Sequence, residues 1–196
     1  MKKTNFLIYA LLATLFVVNT GCDDKGLPDH ENEEEIIDLV RLTFTPTQGT
    51  PLVFEAKDPD GSGIQNFSIP TISLVKNTQY ALFIEVRNEQ ANEDITAEIK
   101  LEDAEHLFLF GWTDGIFSNP AGDGNIDNRA DAVNYSDEDG LGLPLGLLST
   151  WTTGDVSPAG TTFRVVLKHQ PAIKSATSSF NDGETDIDLT FDIEIL

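Results

Sequence analysis

The sequence predicts an all-β protein, because the region from Ile36 onward repeats apolar and polar residues with a period of two. Turns rich in glycine, proline, aspartate and asparagine, such as KDPDGSG and SNPAGDGNIDN, separate these segments. Strands with one buried and one wetted face are typical of antiparallel sheets packed in pairs. We therefore expect residues 36–196 to form a single antiparallel, immunoglobulin-like β-sandwich of about seven to nine strands with one short connecting helix.

Four segments show the alternation most clearly, each with its apolar side chains on one face. They are Val40, Leu42 and Phe44; Tyr80, Leu82, Ile84 and Val86; Phe163, Val165 and Leu167; and Ile187, Leu189, Phe191, Ile193 and Ile195. Weaker strands are expected at 52–56, at 107–110 and around 145–152. The segment 92–106 differs, because Asp94 is a suitable N-cap and Ile95 and Ile99 recur at helical spacing. It is the predicted connecting helix.

Residues 1–21 are expected to be a signal peptide and are excluded from the fold. Lys2 and Lys3 form a positively charged n-region, and a 13-residue apolar run follows from Phe6 to Val18. This run is shorter than the about 20 residues that a membrane-spanning helix needs. The cleavage region NTGC then ends at Cys22, the one cysteine of the chain.

The residues VNTGC resemble the bacterial lipobox, in which the cysteine is acylated and becomes the N-terminus. Gly21 fits this pattern, whereas Asn19 stands where leucine is usual. We expect Cys22 to be the lipid attachment site, since two or three acyl chains give a stable membrane anchor. An ordinary export signal with an incidental cysteine is the alternative. A lone cysteine rules out a disulfide scaffold.

Residues 22–35 are expected to form an acidic, disordered tether, because DDKGLPDHENEEE has no apolar periodicity. Acidic residues after a lipidated cysteine also resemble the signal that exports Bacteroidetes lipoproteins to the outer face of the outer membrane; a solvated spacer is the alternative. With 33 acidic and 12 basic residues the net charge is −21, which excludes a nucleic-acid-binding protein. We expect an outer-membrane lipoprotein, on either the periplasmic side or the cell surface.

Three acidic, glycine-containing loops are candidate calcium sites, because calcium binds six to eight oxygen atoms. Their aspartates are Asp58 and Asp60, Asp123 and Asp127, and Asp137 and Asp139. None of the loops completes an EF-hand, since the twelfth position counted from Asp58 or Asp123 is Ile69 or Asn134, not glutamate. Aspartate and glycine also favour turns for conformational reasons alone.

His106 and His169 predict a second kind of site, for a zinc-like divalent ion. His169 shares the parity of Leu167, so we expect it to face the core at a strand end. If the predicted helix forms, Glu102 lies four residues before His106 and on the same face. The alternative is two histidines that only form hydrogen bonds near strand ends, and the sequence does not say whether they meet.

Motifs of common enzymes are absent from the sequence. It contains no Gly-x-Ser-x-Gly nucleophile elbow, no His-Glu-x-x-His pair and no phosphate-binding loop. We therefore expect no enzymatic activity. The alternative is an unrecognised hydrolase, which would need a concave pocket that holds a pair of carboxylates with perturbed pKa values.

Four stretches together resemble a group of small Bacteroidetes cell-envelope lipoproteins whose genes lie near TonB-dependent outer-membrane receptors. They are LTFTPTQGTPLVFEAKDPDGSG, DAEHLFLF, YSDEDGLGLPLGL and FRVVLKHQP with the later GETDIDLTF. Members are often labelled automatically as type 1 periplasmic binding fold proteins. That label does not fit this sequence as a fold, because a two-lobed periplasmic binder needs helices alternating with parallel strands.

The resemblance implies a receptor partner, and its stretches include both His106 and His169. We therefore predict a lipid-anchored accessory protein that captures a ligand or metal ion for a TonB-dependent receptor. The alternative is a structural or adhesive surface domain with calcium-stabilised acidic loops.

Overall fold

The computed structural model describes residues 36–61, 66–157 and 159–196. The predicted signal peptide, the tether and Cys22 lie outside the described residues. In chain order the elements are β1 (Leu39–Pro46), β2 (Leu52–Lys57), β3 (Ile72–Leu74), β4 (Gln79–Arg87), α1 (Ile95–Leu101), β5 (His106–Trp112), β6 (Phe117–Asn119), β7 (Leu148–Thr153), β8 (Thr162–His169) and β9 (Glu184–Ile195).

The strands form two sheets that pack face to face, which confirms the predicted all-β sandwich. One sheet has the order β2-β1-β4-β7-β6 and the other the order β3-β9-β8-β5. The pairing is antiparallel except between β3 and β9, which run parallel over Ile193–Ile195. This parallel pair was not predicted from the sequence. The chain changes sheets between β2 and β3, and β3 lies at the edge of the second sheet beside β9. The three-residue strands β3 and β6 are too short to show an alternation in the sequence.

Aromatic side chains fill the space between the sheets. Trp151 lies at the centre, with ring centroids of Phe110, Trp112, Phe117 and Phe163 between 4.8 and 5.3 Å away. Such pairs contribute about 0.5–1.5 kcal/mol each beyond their buried area. This core makes β5, β7 and β8 a rigid support for the side chains at their ends.

The second sheet is covered on its outer face as well. Leu107, Leu109 and Val166 point away from the main core and are buried under Ile126 and Phe180. This explains why β5 begins as an unbroken apolar run instead of an alternating one. The loop that carries Ile126 approaches β5 closely, and a Cβ on Gly124 would stand 2.1 Å from a backbone oxygen of that strand. Only glycine allows this approach.

The predicted connecting helix is present as α1. The carboxylate of Asp94 accepts a hydrogen bond from the Ala97 amide at 3.3 Å, and Ile95 and Ile99 are buried. The helix ends at Leu101, so the expectation that Glu102 and His106 share a helical face is wrong. A turn follows the helix, and His106 is already the first residue of β5. Among the described residues no helix is long and apolar enough to cross a membrane.

Candidate metal centre

His106 and His169 lie directly opposite each other at the end of the β5–β8 pair. Their rings are stacked, with centroids 4.6 Å apart and an angle of 5° between the planes. Both residues continue the inward-facing rows of their strands, since side chains alternate along a strand and Phe108 and Leu167 belong to the main core. Antiparallel pairing therefore brings the two histidines together, which the sequence left open.

His106 is buried, with 1% of its surface exposed. Its Nδ1 lies 3.1 Å from the backbone oxygen of Glu102, so we assign the ring proton to Nδ1, which donates to that carbonyl. Its Nε2 is buried and has no hydrogen-bond partner among the described residues. Burial lowers the pKa of His106 to about 4 although the Glu102 carbonyl opposes the shift. The ring is therefore neutral at neutral pH, the state in which histidine binds metal ions.

The carboxylate of Glu102 completes a group that we call the histidine cluster: Glu102, His106 and His169. One possible ligand atom from each residue lies within 4.8 Å of the others. The three residues predicted from the sequence are thus together, although a turn and not a helix places Glu102 beside His106. All three are at one end of the sandwich.

Glu105 is a fourth member of this region that sequence reasoning missed. Its Oε2 lies 3.3 Å from Nε2 of His169. In a regular strand, Glu105 and the adjacent His106 would face opposite sides. Glu105 precedes β5 and belongs to the turn, so this rule does not apply to it.

The histidine cluster fits a tetrahedral ion after a small rearrangement. Ligand atoms on tetrahedral zinc are about 3.3 Å apart, so a group within 4.8 Å has to close by at most about 1.5 Å. The lone pairs of parallel rings do not meet at one point, so one ring has to turn. His106 is held through its Nδ1, whereas the side chain of His169 is 14% exposed and lies at the end of β8. His169 is therefore the ring that turns.

A buried ion pair lies near the histidine cluster. Nζ of Lys174 lies 2.9 Å from Oδ2 of Asp139 and 2.6 Å from the backbone oxygen of Asp103, and the two side chains are 1% and 0% exposed. Lys174 is close enough to His106 for its charge to contribute to the lowered pKa of that ring. One ammonium group thus connects three loops. No sequence motif marks Lys174, because its partners are far away in the chain.

The carboxylates of Asp137 and Asp139, predicted as calcium ligands, have other partners. Asp137 accepts hydrogen bonds from the amides of Gly146 and Leu148 at 2.8 and 3.0 Å. Oδ1 of Asp139 accepts from the amides of residues 141 and 143, and its Oδ2 faces Lys174. These contacts order the loop, and they account for the two aspartates without a calcium ion.

The loop from Asp123 to Asp131 is the acidic loop whose side chains converge. Asp123, Asp127 and Asp131, which we call the aspartate cluster, place carboxylate oxygens within 4.8 Å of one another at the surface. Asp131 was missing from the predicted pair. Asp58 and Asp60 form a turn in which the Asp60 amide donates to Asp58 at 3.3 Å. Part of their loop lies outside the described residues.

A surface cavity of about 510 Å³ lies elsewhere, along the first half of β9. Phe67 and Ile69 line it together with residues 185–189. It contains no histidine and shares no residue with either cluster.

Comparison with known proteins finds no matching family model, no matching curated protein and no matching solved structure.

Proposed function

We propose that this chain is a lipid-anchored envelope protein without enzymatic activity that holds a zinc-like divalent ion at the histidine cluster and presents it to a TonB-dependent outer-membrane receptor. The observation that carries the metal part is Nε2 of His106, a buried nitrogen without a partner among the described residues. Buried polar atoms are nearly always paired. His169 and the carboxylate of Glu102 lie beside His106, with one possible ligand atom from each residue within 4.8 Å of the others.

The hydrogen bond at Nδ1 of His106 supports the same function. Metal-binding histidines usually donate their other ring N–H to a carbonyl or carboxylate, which holds the ring in one orientation and tautomer. The backbone oxygen of Glu102 has this role for His106. His106 is thus oriented before an ion arrives, while Glu102 supplies negative charge and His169 completes the set by turning.

Zinc titration of the purified full-length protein by calorimetry tests the metal site. We expect one ion per chain, no comparable binding of calcium, and loss of zinc binding in both His106→Ala and His169→Ala. His30→Ala is the matched control, because His30 belongs to the predicted tether. Absence of zinc binding, or equal binding by all three variants, would refute the site. Thermal unfolding of each variant shows whether it is folded.

The envelope part of the proposal rests on the lipobox-like residues before Cys22. We expect radioactive palmitate to label the protein in a bacterial host and Cys22→Ser to abolish the label. The receptor part predicts that a TonB-dependent receptor from the same outer membrane is retained by the immobilised zinc-loaded protein. Retention by the His169→Ala variant to the same extent would contradict a presentation role.

A structural or adhesive surface domain with a calcium-stabilised loop is the second candidate. The convergence of the aspartate cluster supports it, because calcium prefers carboxylate oxygens. This function predicts that calcium raises the melting temperature, that a chelator reverses the effect and that Asp127→Asn removes it. His169→Ala has no influence in that case, which separates the two candidates.

A further inference from the structure

Glu105 is held against the end of β8 by its backbone as well as its side chain. Its carbonyl oxygen accepts a hydrogen bond of 2.6 Å from the amide of Gln170. Its carboxylate reaches Nε2 of His169 at 3.3 Å, and the side chain is 41% exposed. The backbone contact fixes the position of the residue, and the exposure leaves its carboxylate able to move.

The distance between Glu105 and His169 matches the spacing of two ligands on one ion. With metal–ligand bonds of about 2.0–2.2 Å and tetrahedral angles, a nitrogen and an oxygen ligand lie about 3.3–3.5 Å apart. The 3.3 Å between Oε2 of Glu105 and Nε2 of His169 lies within this range, and the exposed carboxylate of Glu105 can follow the ring of His169 as that ring turns. Glu105 lies outside the group whose possible ligand atoms are within 4.8 Å of one another, so its carboxylate also has to move towards Glu102 and His106.

The charges around the histidine cluster favour a divalent cation only when Glu105 is included. Glu102 belongs to the cluster, Glu105 acts electrostatically on His106, and Asp139 pairs with Lys174. Three carboxylates and one ammonium leave a formal charge of −2. Without Glu105 one positive charge of the ion is left unbalanced next to a buried ring, where an unpaired charge is costly.

We propose that Glu105 is the fourth protein ligand of the ion, so that Glu102, Glu105, His106 and His169 form a closed tetrahedral site. This inference rests on the proposed function, because it concerns the same ion. Catalytic zinc sites keep three protein ligands and one position for water or substrate. Four protein ligands leave no such position, so the site stores the ion and does not use it in a reaction. The chemical class of the ligand is a borderline ion that accepts tetrahedral nitrogen and oxygen donors, as zinc and cobalt(II) do.

Binding of cobalt(II) to the purified full-length protein tests this inference, because its visible spectrum reports the coordination number. The wild-type protein is expected to show the strong bands of four-coordinate cobalt. Glu105→Gln is expected to weaken binding by about tenfold or more and to replace these bands with the weaker ones of a site open to water. Glu98→Gln is the matched control, since Glu98 is an exposed residue of α1.

A second variant separates loss of a ligand from loss of folding. Glu105→His restores a fourth donor, so we expect it to regain four-coordinate bands with shifted maxima. If Glu105→Gln binds cobalt with wild-type affinity and spectrum, Glu105 is not a ligand, while the metal site of the proposed function stands. If the wild-type protein binds neither cobalt nor zinc, both proposals are wrong.

Discussion

The histidine cluster and the aspartate cluster each bring three possible metal ligands within 4.8 Å of one another, but in opposite surroundings. His106 is buried with an unpaired nitrogen, whereas the carboxylates of Asp123 and Asp127 are exposed. Water satisfies exposed carboxylates at little cost, while a buried polar atom without a partner costs free energy. The distances between possible ligand atoms are therefore similar in the two clusters, and it is burial that distinguishes them. Only the histidine cluster is left unsatisfied by the folded protein itself.

The largest expected effect on stability comes from the buried ion pair near the histidine cluster. Lys174→Met leaves the carboxylate of Asp139 buried without its counter-charge, and we expect a loss of about 3–5 kcal/mol in the free energy of unfolding. Chemical denaturation measures it, with Lys76→Met as the control on an exposed lysine. A loss below about 1 kcal/mol would show that the ion pair does not support the histidine cluster. Adding Asp139→Leu to Lys174→Met should recover part of the stability.

The next effect is a pH dependence of stability that comes from the buried ring of His106. An unfolded chain protonates His106 near pH 6.5, whereas burial lowers the pKa of the native residue to about 4. Between these values the unfolded state binds more protons, so the free energy of unfolding falls as the pH falls. The loss amounts to about 3 kcal/mol from pH 6.5 to pH 4, and above pH 6.5 it is absent.

Unfolding free energies of wild type and His106→Gln, measured from pH 7 to pH 4, isolate this contribution from that of the carboxylates. The wild-type curve is expected to be steeper. Parallel curves would mean that His106 is protonated equally easily in both states and is not desolvated.

A smaller loss of stability is expected when Asn125, which anchors the loop of the aspartate cluster to β5, is replaced. Asn125 is buried; its Oδ1 accepts a hydrogen bond of 3.0 Å from the Phe110 amide, and its Nδ2 donates to the Tyr135 hydroxyl at 2.8 Å. Asn125→Ala leaves these groups unpaired and should cost about 1–3 kcal/mol in chemical denaturation. Asn128→Ala is the control, because Asn128 is exposed and its side chain bonds only within the loop, to the Ala130 amide and the Asp131 carboxylate; it should cost at most about 1 kcal/mol. Equal losses would mean that Asn125 does not anchor the loop.

The smallest effect belongs to the aspartate cluster itself. Asp127→Asn, measured in the presence of a chelator, should change the free energy of unfolding by no more than about 0.5 kcal/mol, and toward higher stability, because it relieves repulsion between like charges. A clear destabilisation would show that the carboxylate of Asp127 has a structural partner and is not satisfied by water alone.

Local patterns in the sequence predicted most of the fold. The alternation from Ile187 to Ile195 marks β9 because the two faces of a strand meet different surroundings. Asp94, Ile95 and Ile99 marked α1 because a cap and helical spacing act over a few residues. The parallel pairing of β3 with β9 was not predicted, since it depends on where the chain changes sheets.

The candidate site was predicted in its residues but not in its construction. Histidine at inward-facing positions near strand ends is visible in the sequence. The stacking of His106 on His169 is not, because it follows from the register of two strands far apart in the chain. Glu105 and Lys174 were missed because their contacts are made by a turn and by loops, which show no periodic pattern in the sequence.

The sequence by itself determined the longer strands and the helix, because these depend on side-chain periodicity and on capping within a few residues. It also contains the lipobox-like residues around Cys22 that predict a membrane anchor. Tertiary structure alone decided which acidic groups converge, which carboxylates are already occupied and which nitrogen is left unpaired. Those outcomes depend on strand register, loop packing and exclusion of water, and these arise only when distant parts of the chain are brought together.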